Sequence, residues 1–204
     1  MMECEGPLYT QDDCTECMKH FTGRNYDEWF DVIPGIRAMF IEAGHIIGAA
    51  MVVLEIMENG TKRMVGFTGD LGRNMLPIIK DPAPMPPVEV LICESTYGNR
   101  AHEDIQTAKH ALREVIIRTA KRGGKVLIPA FSLERTQEIV YELHVLWDAK
   151  DIPAIPIVID SPLATKVTEV FMKHPECYDK EMYDNFLAKS HNPFQFSLVR
   201  YTQS

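Results

Sequence analysis

Several short stretches of this chain place chemistry-bearing side chains where apolar runs stop. In FTGDLGRN (67–74), Asp70 stands among glycines at the end of an apolar segment. In EAGHIIGAA (42–50), His45 sits in a short loop between two such segments, and in ICESTYGNR (92–100), Glu94 closes a third. Imidazole and carboxylate are ordinary zinc ligands, and two-metal centres activate water for hydrolysis. Each residue also has a plainer account. A loop histidine can be structural or merely exposed, Asp70 can belong to a turn, and Glu94 can cap one. Their shared placement at strand ends, where α/β sheets gather functional groups, favours a site.

A second group suits phosphate. PAFSLERTQE (129–138) turns from an apolar run into a helical pattern at Ser132, with Arg135 one turn in. Free N–H groups at such a start attract anions. DSPLA (160–164) repeats the theme with Asp160 and Ser161. The alternative account is an N-cap and a surface charge. CTECMKH (14–20) offers Cys14, Cys17 and His20, but a structural zinc needs four ligands and no second cysteine pair has suitable spacing. These cysteines are expected to pack on a helix. Of the other histidines, only His102 lies near the Glu94 turn, where it could face the same cleft.

The elements that must position these residues can be read from periodicity. Thr10 is a natural N-cap, with Asp12 and Asp13 in the first helical turn. GIRAMFIEAG and AAMVVLEIM read as strands, and RMVGFTG as a third joined through a hairpin at Asn59-Gly60. The segment LPIIKDPAPMPPVE (76–89), with five prolines, reads as a surface loop. VEVLICE reads as a strand buried on both faces.

From residue 102 the texture becomes helical. Ile105, Ala108, Leu112, Val115, Ile116 and Ala120 share a face, and Gly123-Gly124 ends the run. KVLIPAF and IPIVIDS read as strands that alternate with helices from Ser132 and over LATKVTEVFMKHP. That alternation is a parallel α/β unit behind a mostly antiparallel front.

Composition bounds the function. An apolar fraction of 46% permits a sizeable core. No apolar run approaches the ~18 residues of a membrane helix, so no membrane partner is expected. The opening MMECEGPLYT has no signal-peptide pattern. Five irregularly placed cysteines point to a reducing, cytoplasmic setting. A net charge of −8 requires any nucleic-acid contact to be local rather than spread over a basic surface.

Taken in order, AGHIIGAA, FTGDLGR, ESTYGNR, GGKVLIPAFSLERTQEI and DSPLA resemble successive signatures of the β-CASP branch of the metallo-β-lactamase fold, over nearly the whole chain. The resemblance implies an α/β fold: the C-terminal part of a metallo-β-lactamase (αββα) domain over 1–112, then a Rossmann-like β-CASP domain over 113–204. It implies a zinc-assisted, RNA-cleaving hydrolase with RNA as partner. His45 would be a metal ligand, Asp70 a ligand bridging two zinc ions, and Glu94 a catalytic-site acid beside the metals. Ser132, Arg135 and Ser161 would face substrate phosphate.

The family's His-x-His-x-Asp-His motif has no counterpart here, since no His-x-His pair occurs. The chain is therefore expected to be a middle piece of a longer enzyme, binding metal weakly and not turning over alone. An incomplete front sheet would favour self-association or a homodimer. The alternative is a non-catalytic homologue that binds RNA or pairs with an active partner.

Overall fold

A computed structural model describes residues 7–102, 104–189 and 192–202. Helix α1 (Gln11–Met18) opens as expected: Thr10 and Asp13 form a reciprocal capping box. It buries no residue, and Cys14 and Cys17 are exposed rather than packed.

Five strands then form one sheet in chain order: β1 (Trp29–Ile33), β2 (Ile36–Glu42), β3 (Ala50–Glu58), β4 (Thr61–Phe67) and β5 (Val90–Ile92). The first four are antiparallel, and β5 joins β4 in parallel. The β3–β4 hairpin turns at Asn59 and Gly60, both at positive φ (50° and 77°), which matches the right-handed twist of the strands. Strand β1 was not evident in the sequence. Pairing with β2 makes it a strand, and the Phe30 ring meets Phe40 edge-on at 5.1 Å.

One sheet face carries Ile41, Met51 and Val53, all nearly inaccessible, and ends in Glu55. Glu55 is held ionised by Lys62 and Arg37, whose hydrogen bonds keep its carboxyl below the usual range. The cover on this face is the proline-rich segment, where Ala83, Met85 and Val88 pack on the sheet. The surface-loop expectation for this segment is therefore corrected. Prolines carry no N–H that needs a partner, so an extended chain interleaving them with apolar residues can be buried at little polar cost.

The same segment reaches further. Ile78 and Ile79 enter a second core with Val140, Ile159, Phe171, Tyr178, Met182 and Phe194. Backbone contacts fix the insertion: Asp179 N–H donates to Ile78 O at 2.7 Å, and Ile79 bridges Tyr178 antiparallel. Helices α3 (Arg135–Asp148), α4 (Pro162–Lys173) and α5 (Lys180–Lys189) contribute to that second core, while α2 (Ile105–Lys121) packs on α3 in a third, where Ile116 joins Leu143 and Ile152. A parallel pair of strands, β6 (Ile157–Ile159) and β7 (Val199–Tyr201), adds Ile159 and Val199 to the second core. Ser161 caps α4 through Ala164 N–H, as Ser-Pro at a helix start suggests. Gly123 ends α2 at φ 68°. The helix turns a slightly different face inward than its periodicity suggested: Ile116 and Thr119 are buried while Val115 is exposed.

Three further expectations change. Strand β5 is an edge, with Val90, Leu91 and Ile92 about half exposed, because no element among the described residues lies on its far side. KVLIPAF (125–131) has no regular structure and pairs with no strand among the described residues, leaving Leu127 and Phe131 almost fully exposed. A ladder needs a neighbour, and β6 takes β7 instead. Helix α3 starts at Arg135, not at Ser132. Its N-cap is Glu134, at φ 64° and 6% exposed, whose side chain makes no capping bond. Burial, reinforced by the charge of Glu138, pushes the Glu134 carboxyl up to about 8.

Two loops cross where the sheet hands over to this half. Gly72 N–H donates to Ala43 O at 2.9 Å, and a Cβ on Gly72 would lie 1.6 Å from Gly44 O. Gly44 (φ 60°) in turn leaves no room for a Cβ beside Pro82. Gly72→Ala is expected to cost about 3 kcal/mol or more, read by urea unfolding. Gly66→Ala, whose new methyl meets only flexible side-chain ends of Met85 and Leu91, should lose less. The raised carboxyl of Glu134 gives a second expectation. Folded chains keep a proton there that unfolded chains release between about pH 4.5 and 8, so this group's stability contribution falls as pH rises, by up to about 1.4 kcal/mol per unit. Glu134→Gln should flatten that slope in unfolding curves taken from pH 5 to 8.5.

Candidate metal-supporting site

The loop crossing brings the strand-end residues together. His45 Nε2 lies 3.9 Å from Asp70 Oδ2, and both side chains open to solvent. Gly69, at φ 54°, turns the backbone out of β4 so that Asp70 can project. Glu94 leaves β5 beside it, and its Oε1 accepts from Leu71 N–H at 2.6 Å while its own N–H donates to Thr68 Oγ1 at 3.1 Å. Thr68 N–H reaches Ile92 O at 3.0 Å. The Asp70 loop is thus stitched to the end of β5 by Glu94 and Thr68. Hydrogen bonds from Thr96 and from Leu71 N–H hold the Glu94 carboxyl below its ordinary range, and nearby His45 adds to this. Glu94 is accordingly an ionised acceptor that orients the Asp70 loop.

The donor chemistry of the pair suits zinc. Two ligands of one tetrahedral zinc, each about 2.0–2.1 Å from it, are separated by about 3.3 Å, and the His45–Asp70 spacing needs only a small closure to reach that. The pair is part of a ligand set and not a whole one. Among the described residues no group of three or more His, Cys, Asp or Glu side chains could hold a metal ion.

Ser132 and Ser161, far apart in sequence, meet with their Oγ atoms 3.2 Å apart at the start of α4. Arg135 pairs with Glu138 one turn into α3. Behind the serines, fully buried Gln137 donates through Nε2 to Thr168 Oγ1 at 2.9 Å and to Ser132 O at 3.2 Å, which fixes the turn. The His102 ring lies tilted at 45° against Tyr97, with ring centroids 4.3 Å apart, and Arg100 covers the same Tyr97 ring. Asp160 accepts from Thr202 Oγ1 at 3.1 Å.

Sequence reasoning passed over two residues here, Glu134 and Glu138. Both are buried, and burial raises both carboxyls. Arg135, Arg73 and His45 pull Glu138 the other way, which places this helix start within electrostatic reach of His45. The signal was present: in ERTQEIV the glutamates lie four apart, on the helical face that also carries Gln137 and the apolar Val140.

The chain is similar in sequence to several known proteins. The Beta-Casp domain family matches residues 136–204. The chain is 31% identical over 201 residues to Ribonuclease TTHA0252 of Thermus thermophilus, covering 97% of this chain and 45% of that protein. It is 38% identical over 199 residues to Transcription termination factor FttA of Pyrococcus abyssi, covering 93% of this chain and 29% of that protein. Endoribonuclease YSH1 of Eremothecium gossypii is 33% identical over 202 residues, covering 97% of this chain and 26% of that protein. The chain therefore spans less than half the length of these relatives. The matched domain, the strand-end histidine and acids, and an α/β fold in the order expected lead to one assignment: the chain belongs to the β-CASP family of the metallo-β-lactamase superfamily.

Proposed function

We propose that this chain contributes part of the metal site and part of the RNA-facing surface of an RNA-processing hydrolase. The observation that carries the reading is the His45–Asp70 pair, 3.9 Å apart at open strand ends on loops that cannot separate without breaking the Gly72–Ala43 contact. Relatives named as a ribonuclease and an endoribonuclease support it. In this reading His45 and Asp70 hold zinc, with Asp70 able to lie between two ions. Bound there, zinc would supply an acidified water and a polarised phosphoryl oxygen for phosphodiester hydrolysis. Glu94 keeps Asp70 in place by fixing the backbone one residue on. Ser132 and Ser161 offer paired hydroxyls, and Arg135 a charge, to an RNA backbone.

The division into a metallo-β-lactamase part over 1–112 and a β-CASP part over 113–204 belongs to the same proposal, with its junction inside α2. So do a cytoplasmic setting, supported by the free thiols of Cys14, Cys17, Cys93 and Cys177, and self-association through the open β5 edge. Among the described residues no helix is long and apolar enough to cross a membrane.

A second reading has one observation in its favour. The lack of a third ligand beside His45 and Asp70 among the described residues suits a non-catalytic chain that binds RNA or an active partner.

Zinc titration of the purified chain, read by competition with a chromophoric chelator, separates these readings. The first expects measurable zinc binding that weakens tenfold or more in His45→Ala and Asp70→Ala, and less in Glu94→Gln. Identical zinc binding in all four proteins would overturn the metal assignment. Binding of single-stranded RNA without any zinc dependence would favour the non-catalytic reading.

A further inference from the structure

Glu134 is an unusual residue for its place. It precedes α3 at φ 64°, a region where a side chain is strained and glycine is not. It does not cap its helix, as a serine or aspartate there would. Its carboxyl group is buried, and Oε1 has no hydrogen-bond partner among the described residues. Both the backbone and the side chain are therefore in locally unfavourable states.

One contact is obtained in exchange. Oε2 accepts from Ile47 N–H at 3.3 Å, across 87 residues of sequence. Ile47 lies two residues after His45, and its side chain packs against the core that α3 helps to build. The other hydrogen bonds of the loop run within it, to the Asp70 loop, or to the sheet side, where Ala83 N–H donates to Glu42 O and the Tyr26 hydroxyl to Ala49 O. Gly44 N–H donates to Glu42 Oε1, Ala49 N–H to Ile46 O, and Gly72 N–H to Ala43 O. These bonds shape the loop. The Glu134 bond ties it to the helical half.

We propose that Glu134 is a positioning residue that anchors the His45 loop to the start of α3, so that the helical half sets where the imidazole stands over Asp70. The metal-related part of this inference rests on the function proposed above. The anchoring part does not.

The test compares Glu134→Gly, which relaxes the backbone and removes the acceptor, with Glu134→Gln, which keeps an acceptor oxygen. Glu134→Leu, which keeps the bulk and the strain without an acceptor, covers the case in which the glycine variant does not fold. Three quantities are read on the full chain: hydrogen exchange of the Ile47 amide, the NMR shift of the His45 ring without metal, and zinc affinity. The expected result is Ile47 exchange at least tenfold faster in Glu134→Gly and Glu134→Leu, with a displaced His45 ring signal and zinc affinity about tenfold weaker. The glycine variant should melt no lower than wild type, and Glu134→Gln should return all three readouts to near wild type.

Unchanged Ile47 exchange in both the Gly and Leu variants overturns the anchor. Faster exchange with an unmoved His45 signal and unchanged zinc affinity overturns the positioning role. If wild type binds no zinc, the metal reading falls. A His45 signal displaced in Glu134→Gly and restored in Glu134→Gln then still upholds the positioning role, and an unmoved one overturns it.

Discussion

Two loops that carry no regular structure cross so closely that a side chain on either glycine at the crossing would collide with backbone. Gly72 lies against the Gly44 carbonyl where not even a methyl group fits, and Gly44 lies in the same way against Pro82. Three segments, 42–48, 69–72 and 81–83, are thereby stacked at one end of the sheet. That stack places His45 beside Asp70, lets Glu94 reach Leu71 N–H, and delivers the proline-rich segment to the face it covers. A site made of strand-end side chains needs its loops held more tightly than the strands alone can manage. Here glycine supplies this by its lack of a side chain, not by flexibility.

The two halves of the chain are joined by apolar and polar contacts of different kinds. Ile78 and Ile79 leave the sheet side and complete the core of the helical side. Glu134 runs the other way, from the helical side to the His45 loop. The apolar joint has the larger effect on stability, since each isoleucine is fully removed from water and contributes about 1.5–3 kcal/mol. The polar joint contributes direction. Its carboxyl group is buried and half-satisfied on a strained backbone, an arrangement that persists only where surrounding structure enforces it.

What could be read from the sequence was what is decided locally. The Thr10 capping box, the Asn59-Gly60 hairpin, the Gly123 stop and the Ser161 cap each depend on a few neighbouring residues, and each is present. His45, Asp70 and Glu94 could be singled out because glycines and strand ends mark them in the sequence, and the structure brings them together at the loop crossing. What could not be read was decided by partners distant in sequence. KVLIPAF has strand residues but no strand neighbour among the described residues, whereas Trp29–Ile33 sits in a polar context yet pairs with β2 around an irregularity between Asp31 and Ile33. Prolines disguised the burial of Ile78 and Ile79, because proline content reports on missing ladder bonds and not on exposure. The spacing of Glu134 and Glu138 could have marked their burial, but neither the φ of Glu134 nor its contact with Ile47 leaves a mark in ERTQE.

The insertion of Ile78 and Ile79 has a mechanical meaning. The core of the helical half borrows two of its fully buried side chains from a segment that also roofs the sheet, so neither core can open without withdrawing something from the other. Sheet and helices should then lose their slowest-exchanging amides in one cooperative step, despite having separate hydrophobic centres. A single backbone cut between residues 74 and 82 would sever no strand and no helix, yet it would free the plug and let the two halves unfold independently.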